Sequence, residues 1–166
     1  TDATAPAEST PAPGSEKVGK YEVVDVTNYY RRETADYPRS TAGLATFETD
    51  NFIGSGKCAT CHKVLVDSAG KDMSIAGHWR STMMANAAKD PIWIAKVSSE
   101  VKRNPALKKV IEEKCTLCHM PIAWTQAYKE GGERVMFDKG FLNPQNDLHA
   151  AAMDGVSCSL CHQVQD

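Results

Sequence analysis

The sequence is poor in the side chains that build protein cores. Val, Leu, Ile and Phe make up 29 of 166 residues, about 17%. Below roughly 20%, a chain struggles to bury enough apolar surface to offset its ordering entropy. There is no apolar run approaching the ~18 residues that cross a bilayer. The charge imbalance that usually accompanies disorder is missing too, since the formal net charge is only −2. Nor does any cysteine stand alone. A chain so short of aliphatics either stays unfolded or has its interior supplied by something other than its own side chains.

The cysteines decide for the second. All six fall into three pairs of one form, Cys58-Ala-Thr-Cys61-His62, Cys115-Thr-Leu-Cys118-His119 and Cys158-Ser-Leu-Cys161-His162. Each is C-x-x-C-H, the attachment pattern of c-type haem. Two thiols at this spacing add across the porphyrin vinyl groups, and the adjacent imidazole swings under the ring to ligate iron. A thioredoxin-like motif would be a single C-x-x-C within an α/β pattern, which is absent here. Zinc takes four ligands, usually two pairs, and three pairs leave one over. Disulfides do not demand histidine after every pair. The expected cofactors are therefore three haem c groups with their iron, flat apolar bodies around which a chain poor in aliphatics can wrap. Stability is then linked to the metal, and little should stay folded without haem.

The axial ligands leave a shortfall. Of five histidines, His62, His119 and His162 are the expected proximal ligands, which leaves His78 and His149 for three distal positions. The third is filled by methionine, by a residue of another chain, or by nothing. Met83 or Met84 is the expected thioether ligand, a soft donor that raises the potential relative to a second imidazole. Both fall in an expected helix over 74–88 that also carries His78. At ~100° per residue, His78 and Met83 lie about 140° apart, so one helix could serve two haems.

Residues 1–16 are Ala-, Pro-, Ser- and Thr-rich and read as a disordered or extended linker. Residues 17–56 read as a mostly irregular arm with some strand character at 21–26, and 57–166 as the trihaem domain. The aromatic–basic cluster Tyr29-Tyr30-Arg31-Arg32 reads as surface or haem-edge cover. Asp90-Pro91 and Asn104-Pro105 each pair an N-cap residue with proline at the first helical position, so helices are expected at 91–102 and 105–118. The second places Leu107, Val110, Ile111, Cys115 and Cys118 on one apolar stripe against which a haem can lie. Further helices are expected at 121–129, stopped by Gly131-Gly132, and at 145–153, where Gly155 ends a segment presenting His149. The expected fold is mainly α with much irregular coil, short helices wrapped around three covalent haems, and little or no β-sheet. A chain beginning without methionine suggests a processed export signal, and the expected location is periplasmic or extracellular.

The segment Gly77-His78-Trp79-Arg80-Ser81-Thr82-Met83-Met84, followed by Asp90-Pro91, by Cys115–His119-Met120-Pro121 and by Gly155-Val-Ser-Cys158–His162, resembles multihaem c-type cytochromes. It is similar to the N-terminal part of larger environmental and extracellular members, over about residues 55–166. That resemblance implies haems packed edge to edge and electron transfer along them.

The leading expectation is an electron carrier rather than an enzyme. Its partners would be redox proteins or further cytochrome subunits. A second reading is a subunit of a haem filament or membrane-associated redox complex, a homo- or hetero-oligomer formed through an exposed last haem, with an axial ligand donated by a neighbour. A third is a reductase of a small nitrogen or sulfur species at an open iron. Haem propionates make the surface acidic, which argues against nucleic acid and permits docking to basic patches.

Overall fold

The structure, a computed structural model, describes residues 15–18, 21–24, 43–62 and 65–164. The chain divides into two compact units, residues 1–37 and 38–166. In the first, β1 (Ser15–Val18) and β2 (Tyr21–Val24) pair antiparallel, with Ser15 opposite Val24 and Val18 opposite Tyr21. The strand character around Tyr21 is realised there, in the only sheet among the described residues. Residues 1–14 of the expected linker and the cluster 29–32 lie outside the described residues.

The second unit is helical: α1 (Ser55–His62), α2 (Ile75–Arg80), α3 (Pro91–Arg103), α4 (Lys108–His119), α5 (Pro121–Glu130), α6 (His149–Met153) and α7 (Cys158–Cys161). Mainly α with extended coil is thus the fold. The punctuation seen in the sequence sets most of the helix ends. Asp90 caps α3, its carboxylate accepting the Ile92 N–H at 2.9 Å with Pro91 in the first turn. Replacing Asp90 with Ala should cost about 1 kcal/mol, read as a Tm lower by about 3 °C. An unchanged Tm would contradict the cap. Gly131 closes α5 at φ +72°, and Gly155 follows α6 at φ +65°.

Asn104 acts differently from its expected role. Its side-chain amide donates back to the Glu100 carbonyl at 3.1 Å, closing α3, and Pro105–Leu107 forms a 3-10 turn before α4 begins. The expected helix over 74–88 is also corrected. It stops at Arg80 because the next polar side chains take its last carbonyls. Ser81 Oγ donates to His78 O at 2.9 Å, Thr82 Oγ1 to Trp79 O at 2.7 Å, and the Asn86 amide to Arg80 O at 3.0 Å. Such local bonds offer the backbone an alternative to the helical ladder. Met83 and Met84 therefore sit in turns, and the angular argument placing them relative to His78 on one helix does not apply.

The core is small and built largely of small side chains. Its buried cluster combines Phe52, Val97, Met120, Ile122, Met136 and Phe141 with Ala88, Ala123, Ala127, Ala151 and Ala152. Residues 43–56, assigned to the irregular arm from sequence, are tied into this unit. Thr49 Oγ1 and the Asn51 amide both donate to the buried Gln126 of α5, each at 3.0 Å, and Phe52 enters the core.

Candidate haem sites

Each cysteine pair is carried on one turn of a short helix: Cys58 and Cys61 on α1, Cys115 and Cys118 on α4, Cys158 and Cys161 spanning α7. At a spacing of three residues both thiols face one side. The pattern of exposure repeats: the first cysteine of each pair is half-buried, the second exposed, and none of the six is in a disulfide. Burial, reinforced by Cys118 and Glu112, pushes the Cys115 thiol up, and burial followed by the charge of Cys58 does the same for Cys158. A nucleophilic or redox-active cysteine needs a lowered pKa, so these two are poor candidates for thiol catalysis.

The first and third motifs, 100 positions apart in sequence, are brought together, with α1 packed against α7. A polar clasp holds them. Buried Asp154 accepts from the Ser55 N–H at 3.0 Å and from Ser55 Oγ at 2.6 Å, Ser159 Oγ donates to Ile53 O at 2.8 Å, and the Gln163 amide reaches Asn51 O. A carboxylate bonded to the first N–H of α1 also sits favourably at that helix's positive end.

The second motif ends α4 against a different wall. His119 Nδ1 lies 3.0 Å from the Ala87 carbonyl, and its ring stacks on Trp93 of α3 at 4.1 Å with an interplanar angle of 3°. A carbonyl only accepts, so Nδ1 carries the proton and the lone pair is left on Nε2. His149, at the start of α6, repeats the arrangement, its Nδ1 lying 2.8 Å from Phe141 O. A backbone carbonyl that fixes the tautomer and aim of an imidazole is the usual outer partner of a metal-ligating histidine. His78 is held the other way round: its Nε2 is 3.1 Å from Asp72 O, on an exposed stretch of α2. His62 and His162 are exposed at the ends of α1 and α7.

Of the methionines, Met120 and Met136 are fully buried in the core, which removes them as ligands. Met83 is 72% exposed. The backbone beside it is pinned to the approach of the third motif, Val156 N donating to Met84 O at 3.0 Å and Trp79 Nε1 to Val156 O at 3.0 Å. On α4, the buried face belongs to Glu112 and Thr116, whereas Val110, Leu117 and Cys118 are exposed. Paired thiols, an adjacent imidazole and apolar side chains left uncovered by polypeptide fit a flat apolar macrocycle with a central metal. The residues present suit a haem.

Three contributors escaped sequence reading: Trp93, Asp154 and Glu112. Only Glu112 had a signal, standing one helical turn from both Lys108 and Thr116 on a helix whose opposite face carries the apolar stripe. Against known families, a model described as cytochrome c554 and c-prime matches residues 57–163, spanning all three motifs. No curated protein and no solved structure matches.

Proposed function

The chain belongs to the cytochrome c554 and c-prime family, whose haem c serves electron transfer, and from that premise we propose a relay of three covalent haems working outside the cytoplasmic membrane. The haem iron supplies a one-electron couple, and the polypeptide's task is to hold, ligate and space it. Cys58 with Cys61, Cys115 with Cys118, and Cys158 with Cys161 hold the three groups. His62, His119 and His162 are the proximal ligands. His78, His149 and Met83 or Met84 are the distal ones.

The observation that carries this reading is the shared anchoring of His119 and His149. Each imidazole is locked through Nδ1 onto a backbone carbonyl, with Nε2 left to bind iron. His78 would present Nε2 to iron only on giving up its hydrogen bond to the Asp72 carbonyl. The packing of α1 against α7 supports close spacing of the first and third haems, whatever their order along the chain. Ligation on both faces closes the iron to substrate and suits a carrier. Its partners are redox proteins or further cytochrome subunits, not nucleic acid. Among the described residues no helix is long and apolar enough to cross a membrane.

Spectra of the oxidised holoprotein, with carbon monoxide titration after reduction, test the ligand set. The expected result is a wholly low-spin protein carrying a thioether-to-iron absorption band, with no CO bound. Loss of that band in either Met83→Ala or Met84→Ala identifies the donor. CO binding to one haem per chain that fades as protein concentration rises would instead favour a ligand donated by a neighbour. CO binding at all three would overturn the closed relay.

A further inference from the structure

Glu112 is the most deeply buried carboxylate among the described residues, with no solvent exposure. It lies one turn before Cys115 on α4, on the side away from the exposed apolar stripe. Its Oε2 accepts two consecutive backbone donors, Met136 N at 2.7 Å and Phe137 N at 3.0 Å. The Lys108 ammonium pairs with its other oxygen and also reaches Asp138 at 3.1 Å. Thr116, one turn further along α4, donates to Arg134 O at 3.0 Å. The buried face of the helix that ends in the second motif is therefore a clamp on residues 134–138.

That loop leads directly to His149. Phe141 N returns to Val135 O at 2.9 Å and Leu142 N to Met136 O at 2.9 Å, so the two amides held by Glu112 lie inside the same closed loop as Phe141. Phe141 is buried, and its carbonyl is the one that holds His149 Nδ1. Gly140 allows the closure: a Cβ there would stand 2.3 Å from Val135 O. The path from α4 to the imidazole is one carboxylate, two amides, a hydrogen-bonded loop and one carbonyl.

We propose that Glu112 is a positioning residue that sets the aim of the His149 imidazole through the 135–142 loop, coupling the second attachment helix to a distal ligand. This rests on His149 being an iron ligand. A buried carboxylate is costly unless its oxygens are satisfied; here Oε2 holds the loop's two N–H groups, while Oε1 has only the Lys108 ion pair. Moving the carboxylate moves the loop, and with it the carbonyl that aims the ring.

Three holoprotein variants test it. Glu112→Asp keeps the charge but withdraws the carboxylate by one methylene, beyond simultaneous reach of both amides. Glu112→Gln keeps an acceptor oxygen at the original length, and His149→Ala removes the ligand itself. Each is read by CO bound per reduced chain, by ferric spin state and by Tm. The expected result is a partial high-spin signal in Glu112→Asp, with CO binding rising toward one more per chain than in the parent. His149→Ala should reach the full increment, and Glu112→Gln should restore parental ligation. A Glu112→Asp protein with lowered Tm but parental spin state and CO binding overturns the positioning role while leaving His149 as a ligand. A His149→Ala protein with parental spin state and CO binding overturns the ligand assignment itself.

Discussion

Replacing all six cysteines with alanine should leave a polypeptide with no cooperative unfolding transition. Ordering a residue's backbone costs about 1–2 kcal/mol, and apolar burial returns about 0.8 kcal/mol per methylene. Of the eleven side chains in the buried cluster, five are alanine, which return little. The larger apolar side chains that should add to this lie outside: Val110 is 55% exposed, Leu107 54% and Ile92 79%. In this account porphyrin faces cover such side chains, so removing the attachment points removes the interior. The expected readouts are a flat thermal trace and amide exchange without protection in α4 and α5. A sigmoidal transition with a Tm within a few degrees of the parent would show that the polypeptide folds by itself.

The second large effect is expected at Gly155. Its φ is +65°, a region where side chains with a Cβ are strained, and a Cβ there would stand 2.6 Å from Met84 O and 3.0 Å from Ala85 O. Both obstacles are backbone, so neither can rotate away. Gly155→Val combines left-handed strain, worst for a β-branched residue, with that clash, and should cost about 3 kcal/mol or more. For a domain of this size this lowers Tm by about 10 °C. The damage is directed, because the Val156 N–H to Met84 O bond and the Trp79 to Val156 bond both lie at this turn, two residues before Cys158. The variant should keep its attached haems, since attachment needs only the motif, while the third motif loses its fixed approach. A Tm unchanged within 2 °C, on the same scale, would contradict the close packing described here.

What was legible in the sequence is what neighbouring residues decide. Local chemistry was readable: the three motifs, the Asp90-Pro91 start of α3, the glycines closing α5 and α6, and helices close to their expected spans at α3, α4 and α5. Each is decided by residues within a few positions of one another. Errors arose where polar side chains competed with the backbone. Ser81, Thr82 and Asn86 ended α2 early. Asn143 and Asn146 bonded the Gln145 and Leu148 N–H groups, each at 2.9 Å, so α6 begins at His149 rather than near Gln145. Hidden altogether were contacts made across the fold. The meeting of the first and third motifs rests on Asp154 and Ser55, 99 positions apart, and nothing local marks that pair. The buried role of Glu112 was only faintly marked, by its spacing from Lys108 and Thr116, because a charged residue on an amphipathic helix is ordinarily read as solvent-facing.

The proposed relay requires three porphyrins stitched to this polypeptide by thioether bonds. Intact mass under denaturing conditions, on chain matured with its haem, tests it most directly, because covalent haem stays attached and any other cofactor is lost. The expected result is a single species at the 18.1 kDa of the polypeptide plus three haems. A mass equal to the bare polypeptide, or to the polypeptide with fewer than three haems after full maturation, would contradict it.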